Sequence, residues 1–169
     1  MPDWAVAFVR GVEAVNHRVG RIAMYLLFVI MAILLWSSLT KMFKVPSLWT
    51  LEMAQFTLVA YYLLGAPYSL QLGAHVRMDL LYARLSPRRQ LWWDVFTILA
   101  LMFYLGVMLW GAFASTAYSF EFNERSPTAW RPVLWPIKVI ITLSFVLMLL
   151  QALCFLIRDI AALRGRPIA

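Results

Sequence analysis

Four long apolar stretches dominate the hydrophobicity pattern of this chain of 169 residues. They cover Ile22–Thr40, Met53–Leu72, Val95–Phe120 and Val139–Ile157, and none of them contains Asp, Glu, Lys, Arg or His. A bilayer core about 30 Å thick is crossed by roughly 20 apolar residues of helix. The pattern therefore predicts an all-α integral membrane protein with four transmembrane helices.

The predicted helices extend slightly beyond these stretches, to the positions where capping residues, prolines and charges interrupt the apolar pattern. The predicted spans are about 22–42, 49–72, 88–118 and 134–157. They form one transmembrane domain at 22–157, with an N-terminal segment at 1–21 and a basic tail at 158–169. Hydrophobic residues make up 63% of the chain, against roughly 45–50% in soluble domains, so no separate soluble domain is expected.

Charged residues gather beside the spans and predict their orientation. The chain has 15 Lys and Arg residues and 8 acids, a formal net charge of +7. Ten of the cations precede span 1, lie between spans 2 and 3, or follow span 4. The positive-inside rule then places both termini and the middle loop in the cytoplasm. Because the charges cluster at the ends of spans, we expect the bilayer as a partner and no nucleic acid.

The N-terminal segment has the spacing of an amphipathic helix. Its apolar residues recur one helical turn apart, and polar residues share the opposite face. The apolar residues are Trp4, Phe8, Val12, Val15 and Val19, and the polar ones are Arg10, Glu13, His17 and Arg21. The pattern predicts an amphipathic helix on the cytoplasmic surface. A continuation of span 1 into the cytoplasm fits the same residues equally well.

Span 2 carries a polar stripe on one helical face, formed by Glu52, Gln55, Tyr62 and Ser69, with the small residues Ala66 and Gly73 in register. A glutamate one turn inside the interface is costly unless it has a partner. We therefore expect this face to pack on protein, with Glu52 bonded to a donor across the interface. The alternative is that Glu52 reaches the aqueous edge and has no role.

Span 3 contains Gly111, Ser115 and Ser119 at four-residue intervals. Small residues at this spacing let another helix approach closely. Packing within the four-helix unit is the first expectation for this ladder, and packing on a partner is the second.

The sequence offers no clear catalytic, cofactor or metal-binding motif. Cys154 is the single cysteine and lies inside span 4, so no intrachain disulfide can form. His17 and His75 both lie at the cytoplasmic margin instead of facing each other across spans, which argues against a bis-His haem. No nucleophile–base pair or phosphate-binding loop is visible. We therefore expect no enzyme activity and no cofactor in this chain.

Short motifs of Trp, Glu, Gly, His and Pro mark both ends of span 2 and the start of span 4. In chain order they are Trp49-x-x-Glu52, Gly65-Ala66, Gly73-x-His75-Val76-x-x-Asp79 and Trp135-Pro136. Together with four spans in a chain of this length, they resemble the small membrane subunit of tripartite ATP-independent periplasmic (TRAP) transporters, the DctQ-like family. The resemblance covers nearly the whole chain.

This resemblance implies a multi-pass protein of the bacterial inner membrane that works with two partners. In that family a larger membrane subunit carries the sodium and substrate sites and is thought to work as an elevator. A soluble periplasmic protein captures the substrate, often an organic acid. The small subunit widens the fixed scaffold and helps to dock the binding protein. Sodium is therefore expected in the partner subunit and not in this chain.

Two sets of site residues follow from combining the resemblance with the charge and polarity patterns. The candidates for contact with the large subunit are Glu52, Gln55, Tyr62, Ser69, His75 and Asp79. The candidates for docking the binding protein are Lys41, Lys44, Arg125 and Arg131.

Two other function classes remain as alternatives. A self-contained homodimeric exporter of the multidrug type needs an acidic residue deep in a span, and no apolar stretch of this chain has one. A four-helix membrane enzyme that acts on lipid or thiol substrates needs a nucleophile, metal or cofactor cluster, which the sequence does not reveal.

Overall fold

The computed structural model of the chain describes residues 3–45, 47–73 and 86–163. Four α-helices contain most of these residues. In chain order they are α1 (Asp3–Met42), α2 (Thr50–Gln71), α3 (Pro87–Glu121) and α4 (Trp135–Leu163). The described residues contain no β-strand and only one isolated antiparallel bridge, between Arg125 and Val133. The all-α prediction is confirmed for this part of the chain.

Three of the described helices are long and apolar enough to cross a bilayer. They are Trp4–Met42, Trp92–Glu121 and Trp135–Leu163. The fourth helix, α2, is long enough at 22 residues, but polar side chains such as Glu52 and Gln55 lower its apolar content. Three of the four predicted spans are thus confirmed by length and composition. Crossing by α2 and the cytoplasmic position of both termini stay predictions.

The N-terminal segment and span 1 form one helix. α1 continues without a break for 40 residues, or about 60 Å at a rise of 1.5 Å per residue. The structure therefore has the second of the two arrangements expected for this segment, a continuation of span 1. Buried side chains recur every seven residues along the helix. They are Val9, Asn16, Ala23, Ile30 and Ser37. Such a repeat keeps one face of a long helix against its neighbours along the whole length.

The central helix of the bundle is α4, which contacts the three other helices. α1 packs on α2, and α3 packs on α4. α3 lies at the edge, since only Leu105 and Ser119 are buried among its described side chains. A hydrogen bond of 2.9 Å between the hydroxyls of Thr116 and Thr142 joins α3 to α4.

The small-residue ladder of α3 does not pack within this bundle. Gly111 and Ser115 are exposed, and a Cβ atom added at Gly111 would meet nothing within 4 Å. Ser119 is buried, but its hydroxyl donates to Glu124. The first expectation for the ladder is therefore wrong for Gly111 and Ser115, because α3 turns the side with Thr116 toward α4. Packing of the ladder on a partner stays a prediction.

Candidate subunit-docking surface

An open groove of about 390 Å³ lies between α1 and α2. We call it the α1–α2 groove. Three positions in register with the predicted polar stripe, Tyr62, Ala66 and Ser69, lie along its α2 wall. The full lining is Gly20, Ala23, Met24, Tyr61, Tyr62, Gly65, Ala66, Tyr68 and Ser69. The structure thus combines part of the stripe with small residues of α1 into one concave surface, which the sequence alone did not reveal.

Small residues determine how closely the two walls of the groove approach. A Cβ atom added at Gly20 would lie within 2.5 Å of Tyr68 Cγ, so α1 and α2 touch here. The Tyr68 ring also meets the His17 ring edge-on, with 5.3 Å between their centroids. At Gly65, an added Cβ atom meets nothing within 4 Å. The groove is therefore closed at Gly20 and open at Gly65.

We expect Gly20→Ala to destabilise the protein by about 1–3 kcal/mol, because the added methyl group would overlap the Tyr68 side chain. The midpoint of thermal unfolding in detergent measures this change. Gly11→Ala is the matched control on the same helix, since an added Cβ atom there meets nothing within 4 Å. Alanine at an open helical site is about 1 kcal/mol more favourable than glycine. A Gly20→Ala midpoint as high as that of Gly11→Ala would contradict the close approach of α1 to Tyr68.

The other predicted interface residues are not all in the groove. Glu52 is 9% exposed, and its Oε2 atom has no hydrogen-bond partner among the described residues. Gln55 is exposed. A donor for Glu52 from across an interface therefore stays a prediction. His75 and Asp79 lie outside the described residues.

Hydrogen bonds between hydroxyl side chains connect α1 to α2 at the turn between the two helices. Thr50 Oγ1 donates to Ser37 Oγ at 3.2 Å, and the hydroxyls of Ser47 and Thr50 lie 2.9 Å apart. Spacing along the sequence did not single out the pair Ser37 and Thr50, because the two residues belong to different helices. Their bonds connect the end of α1 to the start of α2, and the exposed residues Lys41, in the last turn of α1, and Lys44, just after it, lie beside these bonds.

A second group of hydrogen bonds braces the connection between α3 and α4. The Glu124 carboxylate accepts from Lys138 Nζ and from Ser119 Oγ, each at 2.5 Å. Within the loop, the Ser126 N–H donates to the Pro132 carbonyl at 2.9 Å. These bonds close residues 122–134 into a compact loop with a defined shape.

The four cations predicted to meet the binding protein are all exposed. Lys41 lies in the last turn of α1 and Lys44 in the connection to α2, whereas Arg125 and Arg131 lie in the braced loop. Across the described part of the chain, none of the four forms an ion pair. Their charges are therefore available to an acidic partner.

Acidification is expected to loosen the braced loop. The hydrogen bond from Lys138, followed by that from Ser119, lowers the pKa of Glu124 from its ordinary value of 4.5. A carboxyl with a lower pKa in the folded state stabilises the fold above its unfolded-state pKa, and this contribution is lost as the pH falls through the folded-state pKa. Hydrogen-exchange protection of amides in residues 122–134 should therefore fall in acid.

The matched control for this experiment is Glu124→Gln, which keeps the size of the side chain and removes its charge. We expect the variant to have weaker loop protection at neutral pH and a smaller further loss in acid. Equal protection of the two proteins across the pH range would show that the Glu124 carboxylate does not brace the loop.

Long apolar helices, with charges concentrated outside the apolar stretches, define a multi-pass helical membrane protein. A family profile described as tripartite ATP-independent periplasmic transporters, DctQ component, matches residues 30–162. The match spans most of the chain, and the chain belongs to this family, which is a membrane component of a transporter and not an enzyme. No curated protein and no solved structure matches the chain at a significant level. The family resemblance identified from the motifs of spans 2 and 4 is confirmed.

Proposed function

We propose that this chain is the small scaffold subunit of a sodium-coupled importer of organic acids in the bacterial inner membrane. It braces a large membrane subunit that holds the sodium and substrate sites, and it helps to dock a periplasmic binding protein. Family membership supports the role in transport. The four apolar stretches contain no Asp, Glu, Lys, Arg or His, which supports placing the coupling sites in another subunit, because such sites usually depend on these residues.

The α1–α2 groove is the observation that carries this proposal. Its lining of glycine, alanine, serine and tyrosine suits a protein helix, because small residues allow close approach and hydroxyls bond across the interface. Tyr62 is 65% exposed within this chain, and its hydroxyl would gain a partner on association. We assign the groove to a helix of the large subunit.

The exposed cations near the α1–α2 and α3–α4 connections support the proposed docking of the binding protein. Lys41 lies in the last turn of α1 and Lys44 just after it, next to the hydroxyl contacts between α1 and α2, and Arg125 and Arg131 belong to a loop held by Glu124. Charges in a fixed arrangement steer an oppositely charged partner and set its orientation. We assign this surface to an acidic face of the binding protein.

Reconstitution in liposomes tests the proposed function. The large subunit, this chain and the binding protein should together take up substrate when sodium is higher outside than inside. Omission of this chain should reduce uptake to background, and this chain alone should transport nothing. Transport by the chain alone would instead favour the homodimeric exporter, and full uptake without a sodium gradient would remove the coupling part of the proposal.

A further inference from the structure

A cluster of polar side chains joins the N-terminal part of α1 to the C-terminal half of α4. We call it the polar node, and it consists of Glu13, Asn16, Gln151 and Arg158. Asn16 Nδ2 donates to Gln151 Oε1 at 2.7 Å, and both side chains are fully buried. Glu13 and Arg158 form an ion pair at 2.8 Å. Two kinds of polar contact thus hold the same pair of helices.

Because Gln151 lies in an apolar stretch, its bond with Asn16 favours one alignment of α1 along α4. Gln151 is the only amide in the apolar stretch Val139–Ile157 and lies about 9 Å from the end of that stretch, at 1.5 Å per residue. A buried amide without a partner is costly. Asn16 Oδ1 and Gln151 Nε2 have no partner among the described residues, so each amide depends on the one bond that joins them. Displacement of α1 along α4 would break that bond and bury both amides unpaired.

The alignment of α1 determines which residue meets Tyr68. Gly20 follows Asn16 by one helical turn and occupies a place where an added Cβ atom would lie within 2.5 Å of Tyr68 Cγ. A shift of α1 by one turn would bring the side chain of Asn16 or Met24 to this place. The α1–α2 groove therefore keeps its shape only in the alignment that the polar node selects.

We propose that Asn16 and Gln151 are positioning residues, which set the register of α1 against α4 and so keep the α1–α2 groove ready for the large subunit. Buried polar residues specify register between packed helices in the same way in coiled coils. The inference rests on the proposed function, since it concerns the groove assigned to that partner.

Family membership does not account for the polar node. The family match begins at residue 30, so Glu13 and Asn16 lie outside the matched region while Gln151 and Arg158 lie inside it. The node therefore fastens a segment beyond the matched region to the last described helix within it.

The accessibility of Cys154 to alkylation reports whether α1 is packed against α4. It is the only cysteine of the chain, is fully buried, and lies one turn from both Gln151 and Arg158. Its alkylation by a water-soluble maleimide can be followed by mass spectrometry on the full chain in detergent. Asn16→Leu leaves Gln151 unpaired and is expected to raise the alkylation rate about tenfold.

Two further variants distinguish the effect of an unpaired amide from a general effect of substitution. Asn16→Leu combined with Gln151→Leu removes both amides, and we expect Cys154 to be protected again to within about threefold of the unaltered chain, because two apolar side chains pack without an unpaired group. Ser144→Ala is the control on α4, since its hydroxyl bonds to the Ile140 carbonyl of the same helix. It should leave the alkylation rate unchanged.

The double variant distinguishes the effect of the two amides on the alignment of α1 from their effect on its packing against α4. Its α1 stays seated, but an apolar pair accepts more than one alignment. If two alignments become equally populated, capture of the large subunit at limiting concentration should fall about twofold, in proportion to the competent fraction. Unchanged Cys154 protection in Asn16→Leu, or capture by the double variant at the level of the unaltered chain, would overturn the inference.

Failure of the proposed function would look different. In that case the unaltered chain would capture no large subunit, while the order of alkylation rates among the variants would stay as expected from the polar node.

Discussion

Replacement of Gly65 by tryptophan is expected to reduce uptake by the assembled transporter at least about tenfold and to release the large subunit. Gly65 lines the α1–α2 groove at a point where an added Cβ atom meets nothing within 4 Å. A tryptophan side chain can therefore start at this position without a clash at its Cβ atom, and its indole ring would occupy space in the groove. Insertion of extra volume into a packed contact costs about 1–3 kcal/mol or more, and 1.4 kcal/mol is about tenfold in affinity.

Gly106→Trp is the matched control for the groove. Gly106 belongs to α3, outside the groove, and an added Cβ atom there also meets nothing within 4 Å. We expect the control to retain uptake, and both variants to unfold near the midpoint of the unaltered chain when tested without the large subunit. Equal loss of uptake in the two variants, or none in either, would contradict the assignment of the groove to the large subunit.

Charge reversal at the four cations predicted to face the periplasm is expected to have the second large effect. With glutamate in place of Lys41, Lys44, Arg125 and Arg131, uptake at limiting binding protein should slow about 10–100-fold at low ionic strength. The loss should shrink at high salt, because the Debye length falls from about 30 Å at 0.01 M to about 3 Å at 1 M. Initial uptake rates at several concentrations of binding protein measure the effect.

Arg10→Glu is the control for this charge reversal. Arg10 is exposed near the other end of α1, on the side predicted to be cytoplasmic, so it should not steer a periplasmic protein. We expect its uptake to show the salt dependence of the unaltered chain. If the variant with four reversed charges also shows that salt dependence, the outer cations do not dock the binding protein.

Local patterns in the sequence predicted the helices well. The predicted start of span 3 at about residue 88 directly follows Ser86-Pro87, where serine often caps a helix and proline suits its first turn, and the structure begins α3 at Pro87. The sequence leaves the length of α1 open, because the amphipathic spacing of residues 3–20 fits a surface helix and an extended span equally. The choice depends on contacts with α4 such as Asn16–Gln151, and periodicity within one segment carries no information about them.

The candidate site was predictable only on its α2 side. Tyr62, Ala66 and Ser69 share a helical face that can be read from their spacing. The α1 wall, which includes Gly20 and Ala23, depends on which helix packs against α2, and small residues are too common in membrane helices to reveal this. The polar node was not predictable either, because Glu13 and Arg158 form their contact across 145 positions of sequence. The sequence feature that points to the polar node is Gln151, the only amide in its apolar stretch.

Affinity purification from native membranes tests the central claim most directly. The chain, tagged at its C-terminus and extracted in mild detergent, is predicted to carry a large multi-span transporter subunit in constant ratio, identified by mass spectrometry. The Gly65→Trp chain should lose that subunit, and the Gly106→Trp chain should keep it. Purification of the unaltered chain alone or as a homodimer that transports by itself would contradict the account of a scaffold subunit.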